Sequence, residues 1–343
     1  MEIVRAVRAD DLQALTDLIG KATYGLTSLQ INQSQLWERI ERSVFAFHRR
    51  SQSPAGEPYV LVMEDGETGN LIGTSTVYAK TGGYEPMYVY KLQTETQQCS
   101  HVTDVQARHR TLHLQRIYDG PSEIGSLFLL RRFRGHGRGR FLSLARFALL
   151  AQRPHRFADV VIAQLRGRCD SQGNSPFWEF VMRPFFKMTF SQADALSTVS
   201  KTFIEQLAPR YPLYLDLLPR SARDVVGAVH GETSPAMKLL SAEGFLTTDQ
   251  IDIFDAGPVM ACPVAQIKAV QRCRRCTVKQ TTGQLNQPVH MISTSKGGFR
   301  AILAPATVQG GTVVLNKIDA QRARIGSTSE AWVMAMSVHS TNH

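Results

Sequence analysis

The stretch Glu123-Ile-Gly-Ser-Leu-Phe-Leu-Leu130, followed by Arg131-Arg-Phe-Arg-Gly-His-Gly-Arg-Gly139, decides the fold. The first eight residues are mostly apolar and read as a buried strand; the next nine read as a basic, glycine-rich turn. From Arg140 to Ala151 the apolar residues Phe141, Leu144, Ala145, Ala148 and Leu149 recur on one helical face. Asp159-Val-Val-Ile-Ala-Gln-Leu165 then reads as another buried strand. Strand, loop, helix and strand make a crossover unit, so part of the sheet should be parallel.

The turn itself carries chemistry. Arg134-Gly-His-Gly-Arg-Gly139 follows the pattern Arg/Gln-x-x-Gly-x-Gly/Ala, with Gly137 and Gly139 in the glycine positions. Glycines let the backbone approach a ligand and expose successive N–H groups at a helix start, where the helix dipole also favours an anion. Arg134, Gly135, Gly137, Arg138 and Gly139 are therefore candidate ligands for a pyrophosphate. A flexible basic turn, or an arginine-glycine patch on RNA phosphates, is the competing reading.

Working outward, residues 2 to 7 read as a strand, and Leu12, Leu15, Leu18 and Ile19 fall at helical spacing. Gly25-Leu-Thr-Ser-Leu29 reads as a turn, Gln35 to Phe47 as a helix, and Arg49 to Pro58 as a loop. Tyr59 to Met63 and Leu71 to Tyr78 flank a polar turn, the pattern of a hairpin. Residues 82 to 122 show alternation at Tyr88-Val-Tyr90 and Leu112 to Leu114 around a polar middle. Residues 166 to 222 read as an ordered, aromatic-rich insertion with a helix near Thr202 to Leu207. Ser234 to Glu243 reads as a short helix with Ser234 as N-cap, stopped by Gly244 and followed by a strand from Phe245 to Phe254. Beyond Pro263 the apolar runs near 300–303, 312–315 and 331–336 suggest a small β-rich appendage. The expected organisation is a domain over 1–260, with an insertion at about 166–222, and a subdomain over 261–343.

Composition narrows the class. A chain of 343 residues with 43% hydrophobic and 20% charged residues can bury a sizeable core and is unlike a disordered chain. Charges near the N-terminus and the lack of an 18-residue apolar run make the cytoplasm the expected location. The five cysteines are odd in number and scattered, which argues against a secreted disulfide framework. Cys273-Arg-Arg-Cys276 has the spacing of half a zinc site without a second half, so ordinary thiols and no metal are expected. The net charge of +10 admits nucleic acid, anionic membranes or phosphorylated small molecules such as coenzyme A.

A second motif joins the glycine loop. Thr233-Ser-Pro-Ala236-Met-Lys-Leu239-Leu240-Ser-Ala-Glu-Gly244-Phe245 resembles the helix that follows the acyl-CoA loop in the GNAT acyltransferase superfamily. That resemblance implies an α+β GNAT-like fold with a mixed, partly parallel sheet. Leu240 stands where many such enzymes carry the tyrosine that protonates the departing thiolate. His230, just upstream, can titrate near neutrality and becomes the candidate proton donor. Glu123 is a candidate base, with a solvated strand-end carboxylate as the alternative, and backbone N–H groups near Leu127 and Phe128 are candidates to hold an oxyanion. No cysteine or serine has an activating neighbourhood, so direct transfer in a ternary complex is expected.

At finer grain the chain resembles the arginine N-succinyltransferase family over about residues 1 to 260. The residues that carry this are the Gly25 to Leu29 turn, Glu64-Asp65 with Thr68-Gly69, Ser126 to Leu129, the glycine loop, Ser175-Pro-Phe-Trp178, Asp224 to His230, and Ile251 to Asp255 with Gly257-Pro258. The resemblance implies transfer of succinyl from succinyl-CoA, as co-substrate, to the α-amino group of arginine. It also implies His230 as proton donor and Leu127 as an acyl-CoA contact. The chain departs from the family pattern at Gly231, Ala256 and Gln164, where Pro, Gly and Glu are expected. Carboxylates suit a guanidinium, making Asp252, Asp255 and Glu232 candidates; Arg166 or Arg168 suits the succinyl carboxylate. An ornithine acceptor, an acetyl-CoA donor, a basic RNA-binding protein and a non-catalytic partner subunit remain as alternatives. A homodimer, or a heterodimer with a related subunit, fits the family.

Overall fold

The computed structural model describes residues 1–22, 29, 31–51, 53–99, 105–170 and 173–336. The chain opens with β1 (Ile3–Ala6), α1 (Leu12–Ile19) and α2 (Gln33–His48), then the hairpin β2 (Pro58–Glu64) and β3 (Leu71–Tyr78). α2 starts two residues before its apolar periodicity, because Asn32 and Gln35 cap each other: the Asn32 side chain accepts from the Gln35 N–H at 2.8 Å, and the Gln35 side chain accepts from the Asn32 N–H at 2.9 Å. The turn expected from Gly25 lies outside the described residues apart from Leu29, which is buried.

β4 (Met87–Cys99) and β5 (Val105–Ile117) form one long ribbon in unbroken register from Met87↔Ile117 to Cys99↔Val105. The polar middle expected between two strands is itself strand in its described part, up to Cys99 and from Val105 on. Its outer half has little apolar alternation because main-chain pairing, rather than a buried face, holds it together. β6 (Ser122–Leu129), α3 (Arg138–Gln152) and β7 (Val160–Gln164) form the crossover, and β6 pairs with β7 in parallel.

The insertion carries a π-helical turn at Trp178–Met182, then α4 (Arg183–Phe186), α5 (Phe190–Ser197), α6 (Thr202–Leu207), β8 (Leu213–Tyr214) and α7 (Arg220–Arg223). Its aromatic residues form a separate core: Phe177, Trp178, Phe186 and Phe190 pack with Tyr90, Ile251 and Phe254. α8 (Ser234–Ala242), β9 (Leu246–Asp252) and β10 (Pro258–Pro263) complete the central sheet. Ser234 does not cap α8. Thr233 holds the cap position, and the Ser234 hydroxyl instead donates to the His230 carbonyl at 3.5 Å.

After α9 (Lys268–Arg272) come β11 (Arg274–Thr281), β12 (Val289–Thr294), β13 (Arg300–Gln309), β14 (Thr312–Asn316), α10 (Lys317–Arg322) and β15 (Glu330–Ala335). These five strands run in the order β12-β15-β11-β14-β13, and β12 also pairs with β13, which closes a small barrel. Val278, Ile292, Ile302, Val313, Leu315 and Val333 fill it. Cys276 faces this barrel core, whereas Cys273 packs against the main core, so the two thiols point into different environments. Burial pushes the Cys273 thiol up to about 12. Among the described residues, no three metal-ligating side chains come together.

The barrel joins the sheet through β13, which pairs with β1, giving the order β13-β1-β2-β3-β6-β7-β10-β9-β4-β5-β8. α3 lies across this sheet, and every residue from Phe141 to Leu150 is buried, not just one face. The sheet covers one side of the helix; Leu240, Phe245, Ile267 and Ala269 belong to the same core. A helix enclosed on all sides loses the amphipathic stripe that a surface helix shows.

Candidate active site

The parallel pairing of β6 and β7 is brief. Only Ser122↔Val161 and Glu123↔Ile162 are in register; beyond them β6 stays with β3, and β7 goes with β10. The sheet therefore forks just past Glu123. On the β6 arm the ladder to β3 slips: Thr76 faces Gly125, but Thr74 faces Phe128, which places one extra residue on β6. Ser126 takes up the bulge with φ 51. The main chain of Leu127 to Leu129 then has no ladder partner on its β7 side, and a β-carbon on Gly125 would meet nothing within 4 Å. Phe128 is buried, so only its backbone is available to a ligand in the fork, whereas Leu127 is partly accessible.

The β6 arm leads into the glycine loop. Gly135, His136 and Gly137 follow one another at φ 95, 48 and 76, all left-handed. Gly137 is the N-cap of α3, and neither Gly135 nor Gly137 lacks space for a β-carbon, so what the position demands is the dihedral. A left-handed Gly137 directly before helical Arg138 sets the free N–H groups of the first turn of α3 at a positive helix end, the kind of end that favours an anion. Gly139 lies within the first turn of α3. Two arginines of the loop are engaged internally. Arg134 donates its Nε–H to the Leu129 carbonyl at 3.2 Å, and Arg138 forms an ion pair with Glu2.

On the other arm, two residues beyond β7, the Arg166 carbonyl accepts from the His230 N–H at 2.8 Å. His230 caps a short 3₁₀ turn over Gly231–Thr233, and its Nδ1 accepts from the Glu232 N–H at 3.3 Å. Nε2 is left as the ring nitrogen for a ligand. The mooring is tight: a β-carbon at Gly257 would come 2.0 Å from the Leu165 carbonyl oxygen, and one at Gly167 would come 2.1 Å from that of Asp255. Leu240, in the place of the family's usual tyrosine, is buried in the main core and carries no hydroxyl.

At the fork's apex Glu123 is partly accessible, and its Oε1 accepts from Gln164 Nε2 at 3.1 Å. Burial pushes its carboxyl above the usual carboxylate range, and Asp252 pushes the same way. Asp252 spends Oδ1 on the N–H groups of Phe254 and Asp255, at 2.7 and 3.0 Å. Asp255, fully enclosed, is raised to about 7 by burial and by Asp252, and it accepts from the Gly257 N–H at 2.8 Å, so its carboxylate builds the turn. Glu232 and Arg168 are exposed, away from this enclosure. One acid was not anticipated from the sequence. Asp194, on α5 of the insertion, is raised to about 7 by burial and by Asp252, with Arg166 opposing. Arg166 stacks on Phe190 at 5.4 Å, and its Nη1 is enclosed without a hydrogen-bond partner.

A sheet that forks at a bulge, with a glycine loop at the head of α3 on one arm and the His230 imidazole on the other, is the layout of a GNAT-like acyltransferase. Residues 2–269 match the family model "Arginine N-succinyltransferase beta subunit". The chain is 37% identical over 338 residues to the arginine N-succinyltransferase subunit beta of Pseudomonas aeruginosa, covering 98% of each chain. It is 36% identical over 332 residues to the arginine N-succinyltransferase of Salmonella typhi, covering 95% of this chain and 96% of the other. The solved structure of the arginine/ornithine succinyltransferase subunit AI of Pseudomonas aeruginosa superposes with a TM-score of 0.89 at 28% identity over 98% of both chains. The chain belongs to the arginine N-succinyltransferase family.

Proposed function

We infer that this chain transfers succinyl from succinyl-CoA to the α-amino group of L-arginine, the first step of an arginine-degrading route. The observation that carries the reading is the fork past Glu123, where β6 bulges at Ser126 and parts from β7 while staying on β3 up to the glycine loop. The pyrophosphate lies on the N–H groups of Gly135 to Gly139, and the pantetheine adds main-chain bonds along Leu127 and Phe128. Neutral amine attacks the thioester carbonyl carbon. Backbone N–H groups at the bulge hold the oxyanion, the new C–N bond sheds its extra proton to Glu123, and the C–S bond breaks. Once its ring has taken up a proton at Nδ1 in place of the long Glu232 contact, His230 is an imidazolium that delivers its Nε2 proton to the thiolate and returns to the neutral form. Glu123 suits the base's part because its carboxyl is already raised toward neutrality. Asp194 and Asp252 face the acceptor's guanidinium, and the unpartnered Nη1 of Arg166 suits the succinyl carboxylate.

An acceptor of ornithine is the second reading, favoured by the arginine/ornithine enzyme whose structure the chain resembles. We assign residues 1–260 to the catalytic unit and 261–343 to a β-rich subdomain, place the enzyme in the cytoplasm, and expect a dimer, either of two copies or with a related subunit. No helix among the described residues is long and apolar enough to cross a membrane.

Thiol release with succinyl-CoA or acetyl-CoA against arginine or ornithine tests the reading. Arginine with succinyl-CoA should give the highest kcat/KM, and His230→Ala should lower kcat far more than it weakens acyl-CoA binding. No thiol release with any pair would refute it.

A further inference from the structure

The strand β1 connects two different ends of the molecule. Glu2, just before it, reaches Arg138 beside the glycine loop, whereas Arg8, just after it, lines a cavity of about 90 Å³ at the opposite end. Six residues of β-type rise put roughly 20 Å between them. The cavity lies where β1, the last turn of α2 and the β12–β13 turn meet. Arg5, Arg8, Lys296, Arg300 and Arg324 line it, with His48, and no Asp or Glu does.

Arg5 is already neutralised, donating to both Asp11 carboxylate oxygens at 2.7 and 2.8 Å and pairing with Glu64. The others are not. Arg300, half-buried, donates its Nε–H to the Arg322 carbonyl at 2.6 Å, a neutral acceptor. Among the described residues, the side chains of Arg8, Lys296 and Arg324 have no hydrogen-bond or ion-pair partner. The crowding registers on Arg300, pushed down to about 10 by burial and then by Arg324, Arg8 and Arg5, with Glu64, already paired to Arg5, opposing. The two neighbouring carboxylates, Asp11 and Glu64, are both taken up by Arg5, and the remaining like charges around a concave space cost stability unless something negative enters.

We propose that this cavity binds a small tetrahedral dianion, phosphate or the phosphate group of a monoester, between the catalytic sheet and the C-terminal barrel. Its size admits one such group. Arg300 forms the floor; Arg8, Arg324 and Lys296 close around the oxygens, and guanidinium groups supply the bidentate donors. The site is also mechanically tied to α3. Gln152, the last residue of that helix, donates to the Ser293 hydroxyl at 2.8 Å, and Arg153 donates to the Ser295 carbonyl at 3.3 Å, both beside the cavity mouth.

The test uses the full-length protein with the glycine loop saturated by CoA, so that only a second anion site can respond. Inorganic phosphate is compared with chloride at matched ionic strength by thermal denaturation and titration calorimetry. Phosphate should raise Tm by several degrees beyond chloride, by mass action on the folded state. Arg324→Gln and Arg8→Gln should each abolish that increment while leaving CoA affinity unchanged, and Arg324→Gln should raise Tm at low ionic strength without phosphate. Equal responses of the parent protein to phosphate and chloride would overturn the proposal, as would an increment that survives in both variants. A simple alkyl phosphate, run beside inorganic phosphate, distinguishes a free-phosphate site from one that accepts an ester. The acyltransfer reading stands or falls separately, by thiol release.

Discussion

Asp194 sits where its charge is disfavoured: burial and the neighbouring Asp252 raise it to about 7, and only Arg166 opposes them. Such a group repays its desolvation when a cation arrives. Asp194→Asn should raise KM for arginine at least tenfold at pH 8 and leave KM for succinyl-CoA unchanged, in steady-state assays that vary each substrate. The same change should make the substrate-free protein more stable at pH 8, because it removes a poorly solvated charge. Gly257 makes a steric rather than an electrostatic prediction. Alanine there places a β-carbon 2.0 Å from the Leu165 carbonyl oxygen, so Gly257→Ala should cost about 2–3 kcal/mol in denaturant unfolding and loosen the mooring of His230. The glycine loop and His230 stand in short motifs whose chemistry follows from residue type and spacing. Asp194 has no such context. It comes to Asp252 and Arg166 only because the insertion folds over the sheet, and a contact between residues nearly sixty positions apart leaves no local mark.

Among the elements, α3 links most of the molecule. Arg146 is buried within it, and its side-chain bonds go to Ser143 alone, Nη2 to the hydroxyl at 2.7 Å and Nε to the carbonyl at 3.2 Å. A buried guanidinium facing no carboxylate is poorly compensated. Arg146→Met should therefore stabilise the protein by about 1 kcal/mol or more, seen as a rise of a few degrees in Tm. At the other end of the helix, Gly137→Ala forces a left-handed alanine, costing about 1–2 kcal/mol. It should raise KM for the acyl-CoA more than KM for the amine. The crossover of β6, α3 and β7 was legible because apolar runs and glycines punctuate it. The outer ribbon of β4 and β5 was only partly so, since a two-stranded extension exposed on both faces has no reason to alternate. β11 and β12 were missed in turn: they lie in a closed barrel of short strands whose apolar positions are interrupted by Arg274, Arg275, Lys279 and His290.

For the molecule as a whole, Asp194 and Asp255 set a pH trend. Both hold their protons to about pH 7 when folded and only to about pH 4 when unfolded. The stability they contribute is present in full below the unfolded value and is lost as pH rises through the folded one. Unfolding free energy should thus decline between about pH 4 and pH 7, and Asp194→Asn should flatten that decline; a parent protein that gains stability over this range would contradict it. Three of the hydrophobic clusters, beneath the central sheet, within the insertion and inside the barrel, are joined through main-chain pairing. The pairing of β1 with β13 joins Ile3 to Ile302. A ribosome adding about 5–20 residues per second leaves an interval of roughly 15–60 s between these two strands. For that time the nascent chain shows an open, apolar edge at its very beginning. Its completion waits on Arg300–Gln309, so a product stopped before them would carry a ready site for aggregation or chaperone capture.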